Sequence, residues 1–134
     1  MTTADRWHLR GSADHAYAGA EARHLLRHRL DWGNPETWFE SGTGRLLGVV
    51  TNGERAKVTL LDGEGDPGEH LADPRAEGSS GGYALPDGRT GSHADRDTVT
   101  LDAAGHAVAH LIEHGTWPPG QTTASTRTED RPPS

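Results

Sequence analysis

The stretch RLLGVVTNGERAKVTLLDG, residues 45–63, carries the strongest structural signal in the chain. Two apolar runs rich in valine and leucine flank Asn52-Gly53, the dipeptide that best accepts the positive φ angles of a type I′ turn. In the second run every other side chain is apolar, which is typical of a strand with one buried face. The stretch therefore predicts an antiparallel hairpin with strands at residues 45–51 and 54–61.

Two segments with helical periodicity lie on either side of this hairpin. Asp14 can cap a first helix over residues 15–30, and Thr100 or Asp102 can cap a second helix that continues to about residue 114. Weaker strand signals lie between them, and DTVTL before the second helix is either a short strand or the beginning of that helix. The order of elements predicts an α+β fold, in which a small, mostly antiparallel sheet packs with a C-terminal and an N-terminal helix.

The apolar positions of these elements predict the core. Large side chains recur on one side of the second helix and on one face of the second strand. We assign structural roles to Trp38, Val58, Leu60, Val108, Leu111, Ile112 and Trp117.

Length and composition predict one small domain with loose ends. The chain has 134 residues, of which 31% are hydrophobic, with 18 glycines and 8 prolines. One compact core is the usual outcome for this length. We expect a flexible N-terminus at residues 1–13, a single domain at residues 14–118, and a disordered tail at residues 119–134.

Composition also excludes several classes of protein. The chain has no cysteine, so disulfides, thiolate zinc sites and cysteine nucleophiles are excluded. A net charge of -7 argues against direct binding to nucleic acid, which requires a basic surface. No run approaches the roughly 20 apolar residues of a membrane span, and the start has no signal-peptide pattern. We therefore expect a cytoplasmic protein that binds neither nucleic acid nor membranes.

Three histidines on the second predicted helix, His106, His110 and His114, raise the question of a metal site. Their spacing of four residues places them together, but opposite the apolar stripe and therefore toward solvent. The sequence HAVAH also lacks the glutamate of the metalloprotease helix motif. We interpret them as a solvated helix face and expect no metal, no cofactor and no catalytic residue. A metal-dependent enzyme or metal-binding protein that uses these histidines remains the alternative.

Negative charge is concentrated in residues 62–78, where six carboxylates accompany a single basic residue, Arg75. One interpretation is plain solvated charge. The other is one side of an electrostatic match that speeds association and selects a basic partner. The carboxylates are those of Asp62, Glu64, Asp66, Glu69, Asp73 and Glu77.

Several short sequence motifs, in their order along the chain, resemble those of a known family. Residues 51–91 and 97–118 are similar to the immunity proteins of bacterial polymorphic toxin systems, the family often encoded beside toxins of the nucleic-acid deaminase superfamily. The matching positions are Arg55-Ala56, Asp66-Pro67-Gly68, Tyr83, Asp87-Gly88, Val99, Leu101 and the run from Gly115 to Pro118. The family also has a tryptophan shortly after its last helix, where this sequence reads PGQTTASTRTED.

The resemblance implies a protein without catalytic activity that binds a cognate toxin and blocks its active or nucleic-acid-binding surface. The six carboxylates named above would then contact the basic surface of the toxin, with Tyr83 or Trp38 as an apolar anchor. A relative that has kept the fold but lost its partner is a further alternative.

Overall fold

The computed structural model describes residues 6–11, 15–63, 65–84 and 88–125. In these ranges the chain forms nine strands, two α-helices and one short 3-10 turn, Asp95–Asp97. The helices are α1 (Gly19–Asp31) and α2 (Leu101–His114). The strands are β1 (Trp7–Leu9), β2 (Glu36–Ser41), β3 (Leu46–Thr51), β4 (Arg55–Leu61), β5 (Glu69–Ala72), β6 (Ser79–Ala84), β7 (Thr90–Ala94), β8 (Val99–Thr100) and β9 (Thr122–Ser125).

The main sheet has the order β1-β2-β3-β4-β5-β9, and β8 pairs with one end of β4. Every strand pair is antiparallel, and β6 and β7 form a separate two-stranded sheet. Both helices lie on one face of the main sheet, where they contribute to its apolar core. The predicted α+β fold with a mostly antiparallel sheet is confirmed.

The predicted hairpin is present as β3 and β4, but its turn differs from the prediction. Thr51 pairs with Ala56, and the Asn52 N–H donates to the Arg55 carbonyl, so the turn is centred one residue later, on Gly53-Glu54. Gly53 has a φ of 96°, and no described residue other than glycine has a positive φ. The φ angle is positive at Gly53 and not at Glu54, which matches a type II′ turn with glycine in the first position. A type I′ turn needs a positive φ at both central residues, so the type I′ prediction is wrong. The Asn52 side chain instead accepts from the Glu54 and Arg55 amides.

One face of the sheet, the inner face, carries the apolar core. Alternate residues of β2, β3 and β4 point to it and pack against α1 and α2. The core includes Val58, Leu60, Val108, Leu111 and Ile112 from the predicted set, and Trp117 packs against it partly buried. Other large members are Trp7, Phe39, Leu47 and Leu71.

Trp38 differs from its predicted place in the core. Its neighbours Thr37 and Phe39 are buried on the inner face, so alternation turns Trp38 to the opposite, outer face, where it is half-buried. Its ring covers Gly48, where a Cβ would lie 2.5 Å from Trp38 Cη2. Glycine at this position leaves room for the indole on the sheet surface.

The first helix begins one turn later than predicted, at Gly19. Ala18 before it is extended, and Glu21 accepts from the Ala18 N–H as the reciprocal half of a cap. Asp14, the predicted cap, lies outside the described residues. A Cβ on Gly19 would lie 2.5 Å from the Ala109 carbonyl oxygen, so glycine lets α1 approach α2 closely. The second helix follows the prediction, with Thr100 as its cap and Gly115 left-handed at its end.

The two segments that were expected to be flexible or disordered each contain a short strand. Trp7 in β1 is buried in the core, although residues 1–13 were expected to be flexible. In the segment expected to be a disordered tail, Thr122–Ser125 forms β9 and pairs with β5. Each short strand satisfies backbone groups along a neighbouring strand, which compensates for its weak apolar signal.

Candidate functional site

The acidic segment is not one continuous loop, because β5 passes through it. Four residues of strand separate the turn after β4 from the loop that begins at Asp73. At the first end lies an open cavity of about 530 Å³, which we call the acidic groove. Its lining includes Asp62, Asp66, Glu69, Thr123 and Ser125. The predicted carboxylates are therefore divided between two ends of a strand.

The three carboxylates of the acidic groove are held differently. The Asp62 side chain is 90% exposed, and Arg45 Nε lies 3.9 Å from its Oδ1. Asp66 accepts from the Asp62 N–H at 3.0 Å, which shapes the turn. Glu69 accepts a short hydrogen bond of 2.6 Å from Trp117 Nε1. Asp62 presents its charge to solvent, whereas Glu69 also has a structural contact.

The other predicted carboxylates lie outside this groove. Asp73, at the far end of β5, forms an ion pair of 3.1 Å with Arg55. Glu77 is exposed in the following loop. Glu64 is outside the described residues. The structure thus brings Asp62, Asp66 and Glu69 together and places Asp73 and Glu77 elsewhere.

Tyr83 does not have the exposed position that a partner contact requires. The hairpin of β6 and β7 folds over the outer face of the main sheet, and Tyr83 beneath it is completely buried. Its ring meets the His93 ring edge-on, with centroids 4.8 Å apart. In this conformation Tyr83 is therefore not accessible to a partner, and its predicted contact role stays a prediction. Trp38, the other predicted anchor, remains accessible on the uncovered part of that face.

The residue that organises the outer face is Arg55, which alternation had assigned to solvent. Its Nε donates to Thr98 Oγ1 at 2.8 Å, and one terminal nitrogen donates to the Asp95 and Thr98 carbonyls at 3.0 Å. The same nitrogen contacts the Asp73 carboxylate, and the side chain is only 18% exposed. Arg55 ties β4 to the chain before and after the covering hairpin. Strand alternation did not indicate this role.

Two histidines lie near this cluster and were missed by the sequence analysis. His70 is completely buried on the outer face, with Nε2 3.3 Å from Asp97 Oδ1. Burial, followed by nearby Lys57, lowers the pKa of His70, and Asp97 partly opposes that shift. Burial likewise lowers the pKa of His93, with Lys57 as the next cause. A fully buried imidazole cannot touch a substrate, so His70 is not a candidate general base in this conformation.

The histidines of α2 lie along its outer side. His106 and His114 are exposed, and His110 Nδ1 is 3.0 Å from the Thr116 carbonyl oxygen. The His110 and His114 rings are close, with centroids 4.5 Å apart. Across the described ranges, no three or more His, Cys, Asp or Glu side chains form a group that could hold a metal ion.

An exposed row of aromatic rings runs along α1 and ends at Trp32, directly after the helix. The rings of His24, His28 and Trp32 follow one another at helical spacing, and Trp32 is 74% exposed. Apolar periodicity does not find such a row, because imidazoles count as polar residues.

Neither α1 nor α2, in the part of the chain that the structure describes, is long and apolar enough to cross a membrane. No protein-family model matches the chain, and neither the curated proteins nor the solved structures contain a significant match.

Proposed function

We propose that this protein is an immunity protein without catalytic activity, which binds and neutralises a cognate toxin of the nucleic-acid deaminase class in the cytoplasm of the producing cell. The observation that carries the proposal is the acidic groove, together with the sequence motifs that resemble those of the immunity family in the same order. A toxin that acts on nucleic acid needs a basic binding surface. An acidic protein can cover that surface by charge complementarity.

The contacts among the family-like residues support the proposal. Arg55 joins Asp73 to the segment before α2, and Trp117 donates to Glu69 beside the acidic groove. Sequence motifs that are far apart along the chain thus contact one another around β4 and β5. These contacts give the residues that resemble the family a common structural framework. Asp62 lies exposed at the edge of that framework.

The acidic groove suits an interface better than a reaction. The Asp62 side chain is 90% exposed, so its carboxylate does not lie in the enclosed, dry pocket in which a catalytic acid or base is usually tuned. Acid-base catalysis ordinarily relies on pKa values tuned toward the working pH. Exposed carboxylates are effective in steering a basic partner, and their effect is weakened by salt.

Co-expression with the toxin encoded by the neighbouring gene tests the proposal. We expect restored growth and a stable complex on gel filtration. Persistent toxicity together with the absence of a complex, from a protein that circular dichroism shows to be folded, would overturn it and favour a relative that has lost its partner.

A matched pair of charge reversals locates the interface. Asp62→Lys should weaken toxin binding about tenfold and reduce its salt dependence. Asp31→Lys makes the same charge change at the exposed end of α1, near β2, which is separated from β5 by β3 and β4 in the sheet. Equal losses from both variants would show a net-charge effect and contradict docking at the acidic groove.

The metal-dependent alternative is tested separately with Zn²⁺ and untagged protein. Titration calorimetry should show no tight site. A tight 1:1 site that His110→Ala abolishes would overturn the proposal in favour of a metalloprotein.

A further inference from the structure

The hairpin of β6 and β7 is attached to the main sheet differently from every other strand. It forms a sheet of its own and shares no backbone ladder with β1 to β5 in the described residues. Side chains hold it in place: Asn52 Nδ2 donates to the Gly81 carbonyl, and the Asp95 carboxylate, which accepts from Ser80 Oγ at 2.6 Å, lies 3.9 Å from Arg55 Nε on β4. Isolated two-stranded hairpins are marginally stable in water. The position of this hairpin therefore depends on what lies beneath it.

Two imidazoles lie where the hairpin packs on the main sheet, His70 completely buried and His93 half-buried. His70, from β5, is completely buried, and His93, from β7, packs edge-on against buried Tyr83. The buried Tyr83 hydroxyl makes no hydrogen bond of standard geometry among the described residues, although the Thr98 side chain lies close enough to lower its pKa against the effect of burial. A buried imidazolium without full compensation is costly.

Charged side chains on β4 and on the turn after β7 affect the protonation of the two imidazoles. Lys57 on β4 disfavours protonation of both His70 and His93, and His70 disfavours a charge on His93. Asp97 favours protonation of both. The remaining charged side chains of the cluster, Arg55, Asp73 and Asp95, interact with one another. Desolvation is the largest effect at both imidazoles.

We propose that the β6–β7 hairpin is a proton-sensitive flap, which is held on the outer face by neutral His70 and His93 and is released when these imidazoles take up protons. Release exposes Tyr83 and the outer side of β4 and β5. It leaves α1, α2 and the inner face folded, because their apolar contacts lie on the other side of the sheet. The proposal does not depend on the proposed toxin.

The direction of the pH effect follows from proton linkage. Docking lowers the pKa of both histidines below their ordinary 6.5, so the open hairpin binds more protons than the docked hairpin. Docking is therefore fully favoured above about pH 6.5 and is lost as the pH falls through the lowered values. Local release is expected before global unfolding, since the hairpin has the fewest backbone ties to the sheet.

Amide hydrogen exchange of the full chain, measured by NMR at pH 7 and pH 5 and corrected for intrinsic rates, tests this inference. We expect amides in β6 and β7 to lose protection about tenfold or more at pH 5, while α2 amides keep theirs. Equal losses in both regions, or no loss in the hairpin, would overturn the flap.

Variants connect the effect to the imidazoles. His93→Asn should reduce the acid-induced loss of protection, and Lys57→Met should reduce it by making protonation easier in the docked state. The control His106→Asn removes an exposed imidazole from α2 and should leave the loss unchanged. An undiminished loss in His93→Asn would contradict the inference. If that variant does not fold, imidazole titration of the original protein decides, because ordinary pKa values for both His70 and His93 would also contradict it.

Discussion

The two faces of the main sheet are covered by different chemistry. On the inner face, α1 and α2 bury leucine, valine and aromatic side chains against β1 to β5. On the outer face, the β6–β7 hairpin covers an arginine, two histidines and several aspartates. Apolar burial is non-directional and additive over area, whereas a buried polar cluster depends on each partner being in place. The inner face should therefore set overall stability, and the outer face should respond to single partners and to pH.

The largest effect is expected from truncation on the inner face. Phe39 is fully buried between the sheet and Tyr17, with ring centroids 5.7 Å apart. Phe39→Ala should lower the free energy of unfolding by about 4 kcal/mol, measured by urea denaturation. The matched control is Trp32→Ala, which removes a larger ring from an exposed site and should cost little. Similar losses in the two variants would show that the inner face does not dominate stability.

Removal of Arg55 from the outer face should lower the free energy of unfolding by somewhat less than Phe39→Ala does. Arg55→Met retains the aliphatic stem but leaves Asp73 and Asp95 without their cation. Because the side chain is partly exposed, we expect a loss of about 2 to 3 kcal/mol, below that of a fully buried pair. Denaturation at pH 7 measures it. Arg23→Met, at an exposed ion pair with Asp102, should cost less than about 1 kcal/mol. An equally small loss at Arg55 would refute its organising role.

The uncovered part of the outer face allows a test of packing by a double-mutant cycle. Gly48→Ala forces the Trp38 ring to move and should cost about 1 to 2 kcal/mol. In a Trp38→Ala background the same change should be close to neutral, since the obstructing ring is absent. Additive effects of the two substitutions would contradict the contact.

The smallest effect concerns a polar contact at the margin of the inner face. Glu69→Gln keeps an oxygen acceptor for Trp117 Nε1 but removes the charge, so it should cost about 1 kcal/mol or less. Glu69→Leu leaves the indole N–H without this acceptor and should cost more. The difference between the two variants in thermal unfolding measures the hydrogen bond, and no difference would mean that the contact is unimportant for stability.

Much of this architecture can be predicted from local patterns. Alternation along β4 correctly places Val58 and Leu60 inside, and the glycine after α2 ends that helix in the left-handed conformation. Such features depend on neighbours within a few residues, so periodicity and conformational preference determine them. The sequence does not show on which face of β2 Trp38 lies, and its expected place in the core differs from its half-buried position on the outer face.

The candidate site is less predictable, because it depends on which segments meet. Composition shows six carboxylates in one stretch, but the strand within it sends Asp62 and Asp73 to opposite ends. Tyr83 is buried because β6 and β7 fold across the sheet, and no local pattern specifies that docking. Gly53 and Glu54 replace the expected turn centre because the pairing of Thr51 with Ala56 fixes the register.

The sequence by itself determined the α+β class, the β3–β4 hairpin, the C-terminal helix and the excess of negative charge, because each follows from residue type and short-range spacing. Only the tertiary structure decided that Arg55 is largely buried and hydrogen-bonded to several groups, that His70 and His93 lie where the β6–β7 hairpin packs on the sheet, and that Trp7 and β9 belong to the folded domain. The physical reason is that burial and pairing are properties of two segments at once. A residue's own neighbours in sequence do not reveal what covers it.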